Sequence, residues 1–226
     1  MTEERTNEAA GGHADGLVLV MGATSGIGAA AVDEALSRGI AVRAFARSAD
    51  KLEPREGLEP FAGDAREPGD VARALTGVSA VIYALGIRER LAMLWEDETL
   101  FSDTTRVLVD EMTKAGVDRL VAVTGFGAGR SEAAMSSLER LGFMAIFRKP
   151  YADKGRQEAM IMDSALDWTI ARPVILTNGA RAKTIKVLRT PETWRNGLIS
   201  RRDVAGYLVD AVEQGLDIRT DVVLAR

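Results

Sequence analysis

Short apolar runs rich in β-branched residues alternate with segments of helical period from residue 17 nearly to the C-terminus. The runs are LVLVM (17–21), IAVRAFA (40–46), EPFAG (59–63), AVIYA (80–84), RLVAV (119–123), WTIAR (168–172) and DVVLA (221–225). Their lengths and bounding turn residues are those of strands. Between them, helices are expected over 27–38 and after Arg66. A longer one carries Leu100, Thr104, Leu108 and Met112 on one face, and Val204, Leu208 and Val212 repeat that spacing near the end. Ser200, followed three residues later by Asp203, is a capping-box start for this last helix. Strands alternating with helices form right-handed βαβ units, which predicts a single doubly wound α/β domain. Its mostly parallel seven-stranded sheet would have strand order 3-2-1-4-5-6-7.

Composition narrows the function classes. The chain has 226 residues, 46% apolar and 27% charged, with net charge −4, so neither nucleic acid nor an anionic membrane is an expected partner. There is no cysteine, and the single histidine, His13, lies in the polar stretch MTEERTNEAAGGHADG (1–16). That stretch lacks periodicity and a hydrophobic leader core and is read as a disordered tail, leaving 17–226 as the domain. Thiolate chemistry, a catalytic histidine and a metal site are therefore not expected. No apolar run reaches the roughly 18 residues of a membrane span, and the expected location is the cytoplasm. The least regular segments, 86–97, 125–150 and 175–198, follow strands four, five and six. Ligands of open α/β sheets lie outside the carboxyl ends of strands, so these segments are the expected rim of a site.

The first strand runs into VLVMGATSGIGAAAVDEAL (18–36), with Gly22, Gly26 and Gly28 where strand hands over to helix. In a Rossmann-type turn, Gly22 permits the tight exit and Gly26 lets backbone N–H groups approach a pyrophosphate. Gly28 allows the helix to pack closely on the sheet. Thr24, Ser25 and Ile27 complete the binding turn; a tight turn without a ligand is the plainer alternative. NAD-selective sites usually carry an acid at the end of the second strand. Here the chain reads AFARSADKL, and Arg47 and Ser48 stand there instead. A guanidinium can grip a 2′-phosphate with two parallel hydrogen bonds, so NADP(H) is preferred over NAD(H), unless Arg47 is only a solvated surface arginine.

With these residues in place, the chain resembles the atypical short-chain dehydrogenase/reductases. The likeness is to the NAD(P)H-binding branch of NmrA-like proteins and flavin or biliverdin-IXβ reductases. It covers about 17–226 through GATSGIG (22–28), AFARS (44–48), GDAREPGDV (63–71), YALG (83–86) and AGVDRLVAVTGFGAG (115–129). YADKGRQEAMI (151–161), DWTIARPVILTNG (167–179) and ISRRDVAGYLVDAV (199–212) complete it. The resemblance implies that Asp64 and Ala65 sit beside the adenine and that Ala84, Leu85 and Gly86 pass along the ribose. Thr124 stands where conventional members carry a catalytic serine. Lys154 resembles the lysine that bonds the nicotinamide ribose, and Pro173, Val174 and Ile175 would flank the nicotinamide. Asp64 as a turn residue, Thr124 as a strand end and Lys154 as a surface cation are the dull alternatives.

Conventional members use Tyr-x-x-x-Lys, whereas Tyr151 precedes Lys154 by three positions and Pro150 takes the acid tyrosine's place. Tyr151 is therefore a candidate acid that hydride transfer to a conjugated ring does not need. The rim residues Leu91, Met93, Leu94, Trp95, Met135, Leu138, Leu141, Phe143, Met144, Phe147, Leu188 and Trp194 suggest an apolar pocket. Arg130, Arg148 and Arg181 would give it cationic edges suited to a planar, partly anionic small molecule. The same residues could instead be core packing or the surface of a homodimer. The expected activity is NADPH-dependent reduction of a flavin, quinone or related conjugated acceptor. A non-catalytic NADP-binding redox sensor is the alternative, and a nucleotide-sugar epimerase or dehydratase is a more distant one.

Overall fold

The computed structural model describes residues 16–86 and 99–226, with the side chains of 137–139 and 141–148 left aside. Eight strands form the main sheet: β1 (Leu17–Met21), β2 (Val42–Ala46), β3 (Leu58–Ala62), β4 (Val78–Tyr83), β5 (Arg119–Val123), β6 (Asp167–Pro173), β8 (Lys186–Leu188) and β10 (Thr220–Ala225). Their order is β3-β2-β1-β4-β5-β6-β10-β8. The seven strands expected from the pattern occupy the expected order, and all pair in parallel. The eighth, β8, adds antiparallel to β10 at the edge. Its three residues, KVL, are too short a run to register as a period-two pattern. A second sheet pairs β7 (Ile175–Thr177) with β9 (Leu198–Ser200), also in parallel.

Five helices cover the sheet: α1 (Gly26–Ser37), α2 (Pro68–Ala74), α3 (Leu100–Ala115), α4 (Ser137–Asp163) and α5 (Arg201–Glu213). Alternate residues of the central strands feed two cores. Val18, Val20, Val121 and Val123 join Val204, Leu208 and Val212 of α5, while Leu19, Met21 and Leu120 join Leu108 and Met112 of α3. Burial on both faces is why β1 and β5 read as continuous apolar runs. Pro60 is tolerated because β3 is an edge strand. The Ser200–Asp203 capping box forms as the spacing predicts, and Gly116 closes α3 in the left-handed conformation.

Two expectations change. Residues 137–150, read as irregular rim, are the first half of the 27-residue α4, which carries Pro150 in its interior. Proline lacks the N–H that would bond the preceding turn, so sequence reasoning breaks the helix there. Gly16, assigned to the tail, instead lies so close to Ser79 that a Cβ would come within 2.5 Å of its side chain. Residues 1–15 of the expected tail, and 87–98 with Leu91, Met93, Leu94 and Trp95, lie outside the described residues. Among the described residues no helix is long and apolar enough to cross a membrane.

Candidate functional site

The three glycines of the first turn have three different jobs. Gly22, at φ +82°, lies against the backbone leaving β4, where a Cβ would approach the Ala84 oxygen to 2.6 Å. Gly28 is packed against the turn itself, and its Cβ would meet the Gly22 oxygen at 2.2 Å. Gly26, at φ +61°, faces open space at the first residue of α1. No side chain caps this helix and its first turn has no acid, so unpaired N–H groups and the positive end of the helix dipole face that space. An anionic pyrophosphate fits there. Thr24 and Ile27 are half-buried beside it and Ser25 is exposed.

Around this point the structure gathers the remaining cofactor candidates at the carboxyl ends of β2, β3, β4, β5 and β6. The Gly22 N–H donates to the Phe45 oxygen, two residues before Arg47. Arg47 is exposed and has no hydrogen-bond or ion-pair partner among the described residues, and half-buried Ser48 follows it. Asp64 is half-buried. One of its carboxylate oxygens accepts from the Arg66 N–H in a local turn, and its own N–H donates to Asp70. Ala65 and Ala84 are buried, Leu85 is half-buried, and none of the described residues comes within 4 Å of where a Cβ on Gly86 would stand.

At the other end, Lys154 donates from Nζ to the backbone oxygen of Thr124 at 2.6 Å and stands 4.7 Å from the centre of the Phe101 ring. Burial pulls the Lys154 pKa down to about 8, although the carboxylates of Glu158 and Asp153 pull it up. Asp153 also accepts from the Phe101 and Ser102 N–H groups and so seats α3 on α4. Tyr151 lies with its hydroxyl against Gly125, where a Cβ would sit 2.8 Å from the phenol oxygen. Burial, with the Glu158 charge, pushes that phenol up to about 12. An acid lysine–tyrosine couple would need the opposite shift. Pro173 and Val174 are buried, whereas Ile175 is 57% exposed.

A family profile described as NAD(P)H-binding matches residues 22–215. The chain belongs to this NAD(P)H-binding family. Its fold is that of the family's Rossmann-like oxidoreductases, and its cofactor is a nicotinamide dinucleotide. An uncharacterised chloroplastic protein of Arabidopsis thaliana is 29% identical over 205 residues, covering 87% of this chain and 72% of that protein. The rice protein TIC 62, also chloroplastic, is 27% identical over 84% of this chain, which spans only 41% of its length. Among solved structures, ChuY, an anaerobilin reductase of Escherichia coli O157:H7, is 25% identical. It superposes with a TM-score of 0.75 over 92% of this chain and 96% of its own.

Behind Lys154 and Thr124 lies a charged network that sequence reasoning missed. The Arg172 guanidinium, fully buried in β6, donates to both carboxylate oxygens of Glu158 at 2.9 and 2.8 Å, and also to Asp221 of β10. Arg130 donates to both oxygens of Asp221. Trp194 is stacked against both guanidiniums, 4.9 Å from Arg172 and 5.2 Å from Arg130. The Thr124 hydroxyl donates to Glu158 at 2.6 Å. Gly129, at φ +49°, leaves room for this carboxylate, which a Cβ would meet at 2.1 Å. The available signal was an arginine and an aspartate inside adjacent apolar strands, since buried charges must be paired.

The network corrects the expected rim. Arg130 and Arg181 are not free cationic edges: the first is paired with Asp221 and the second with Glu34. Trp194 is 6% exposed over the arginines and Met135 is 8% exposed in the core, so neither offers an open apolar wall. Leu188 is half-buried on β8. Arg148, Leu138, Leu141, Phe143, Met144 and Phe147 lie outside the described side chains. Exposed apolar surface occurs instead at Ile175 and Leu198, 57% and 56% exposed and directly paired in the small sheet.

Proposed function

We propose that the protein is an NADPH-dependent reductase that passes hydride to a flavin, quinone or related conjugated ring. The observation that carries this reading is the Ile175–Leu198 pair: two large, exposed apolar side chains directly paired in the small sheet, Ile175 being the last of the expected nicotinamide contacts Pro173, Val174 and Ile175. Such a face suits a planar apolar ring, and a planar small molecule is the partner this reading assigns. The likeness to ChuY, an anaerobilin reductase, supports a reductase. A reductase drawing on a soluble NADPH pool is assigned to the cytoplasm.

Each residue has a separate task in this reading. Gly26 and the open end of α1 receive the pyrophosphate, and Arg47 with Ser48 holds the 2′-phosphate that distinguishes NADPH from NADH. Asp64 and Ala65 border the adenine, and the backbone of Ala84, Leu85 and Gly86 borders the ribose. The Lys154 ammonium, fixed by the Thr124 carbonyl, bonds the nicotinamide ribose and so orients the ring. The nicotinamide supplies the hydride when bound. Tyr151, with its phenol held near 12, is a wall rather than an acid, and water supplies the proton. A screen of NADPH oxidation against FMN, FAD, a bilin and simple quinones tests the reading. Turnover of at least one acceptor is expected, with Tyr151→Phe keeping at least about a tenth of it. Tight NADPH binding with no turnover would instead support the redox-sensor reading, which the absence of an activated tyrosine favours.

A further inference from the structure

Gly26 lines a cavity whose opposite wall carries no residue yet assigned to the cofactor. The cavity holds about 530 Å³ between α1 and the start of α5, with Ala29, Asn178, Gly179, Arg201 and Arg202 also in its lining. Thr177 and Ser200 are the last paired residues of the small sheet, so Asn178 and Arg201 leave it side by side. Arg201 donates to the Asn178 amide oxygen at 2.7 Å, and because that amide is neutral the Arg201 charge is oriented but not cancelled. Arg202 is exposed and has no hydrogen-bond or ion-pair partner among the described residues. The nearby acids are all engaged. Asp33, which also lines the cavity, is paired with Arg55, and Glu34, in the smaller cavity beside it, with Arg38 and Arg181. Asp203 accepts from Ser200, the Ala182 N–H and Arg226. The cavity therefore keeps two uncancelled guanidiniums, those of Arg201 and Arg202. Both stand in the first turn of α5, where the helix dipole disfavours cations and a bound anion would relieve them.

We propose that Arg202 is a cofactor-binding residue that holds the pyrophosphate of the dinucleotide from the α5 side, across the cavity from the Gly26 end of α1. The proposal rests on the reading that seats the pyrophosphate at Gly26 and is independent of the hydride acceptor. Backbone N–H groups at one helix end can face only one side of a pyrophosphate. A guanidinium opposite them offers a planar fork that matches the remaining phosphoryl oxygens. Arg47 and Arg202 then divide the phosphates, the first holding the 2′-phosphate that only NADPH carries and the second the pyrophosphate that both cofactors share.

The test is calorimetric titration of NADPH, NADH and ADP-ribose into the full parent chain and into Arg202→Ala. Losing a charge-assisted bond to the shared pyrophosphate should weaken all three by one factor, about five- to twentyfold. The NADPH-to-NADH affinity ratio should stay within about twofold of the parent's, whereas a field effect without contact would weaken NADPH, with its extra phosphate, more. The substitution spares the Ser200–Asp203 cap, so the urea unfolding midpoint should not fall. Arg202→Lys keeps the charge and should bind within about threefold of the parent. Weakening confined to NADPH, unchanged ADP-ribose binding, or a loss of NADH affinity below about twofold overturns the proposal. So does a lowered urea midpoint, a loss that Arg202→Lys does not rescue, or a parent that binds none of the three. Gly26→Ala separates the two readings: affinity lost there but kept in Arg202→Ala sinks this proposal alone, and affinity kept in both sinks the placement of the pyrophosphate with it.

Discussion

Replacing Arg47 with alanine should weaken binding of NADPH and leave that of NADH almost unchanged. The side chain is exposed immediately after β2, beside a turn whose Gly22 N–H is fixed to Phe45, and none of the described residues partners its guanidinium. Removing it therefore breaks nothing in the fold, and stability should stay within about 0.5 kcal/mol of the parent. A 2′-phosphate held by two charge-assisted bonds should lose ~1.5–3 kcal/mol. That corresponds to about a ten- to hundredfold weaker NADPH complex, since 1.4 kcal/mol is a factor of ten. NADH lacks the phosphate and should be almost unaffected. The assay is titration of each cofactor into parent and variant, repeated at higher salt, where the parent's preference should shrink as charges are screened. Equal affinities for NADPH and NADH in the parent, or equal weakening of both in the variant, would refute the reasoning.

Four further outcomes follow from the geometry. The Lys154 ammonium is charged below its pKa of about 8 and neutral above it, so NADPH affinity should fall as pH rises through that value. Lys154→Arg, which does not titrate there, should flatten the profile, and a break at the same pH in that variant would remove lysine as its source. Gly28→Ala places a methyl 2.2 Å from a backbone oxygen and should cost roughly 1–3 kcal/mol of stability in urea unfolding. Gly26→Ala meets open space, and its main loss should be cofactor affinity, beside ~1–2 kcal/mol for its left-handed backbone. A Gly26→Ala variant that binds NADPH as tightly as the parent would place the pyrophosphate elsewhere. Arg172→Met should cost about 3–5 kcal/mol, because Glu158 is left buried with only Thr124 for a partner while Asp221 keeps Arg130. A loss below about 1 kcal/mol would show that the network contributes little.

What was legible in the chain is what depends on neighbours in sequence. The strand runs, the glycine turn and the Ser200–Asp203 cap are each written within a dozen residues, and the local pattern also places Arg47 at the end of β2, whereas Lys154 is singled out by the family resemblance and not by a helical pattern. The network behind Lys154 and Thr124 is written across β5, α4, β6 and β10. Arg172 is separated by 14 residues from Glu158 and by 49 from Asp221. No periodicity connects such positions; only the sheet order, with β6 between β5 and β10, brings them together. The rim failed for the complementary reason. Arginines that look free in a linear stretch are consumed by acids that the fold delivers, as Asp221 does for Arg130 and Glu34 for Arg181. Charge counted along a chain therefore overstates the charge a site presents. Arg47 differs from them, since none of the described residues brings an acid to it. Glu158 shows the same rule in the interior: Arg172 holds both of its carboxylate oxygens and the Thr124 hydroxyl donates to one of them, so its charge is spent within the network.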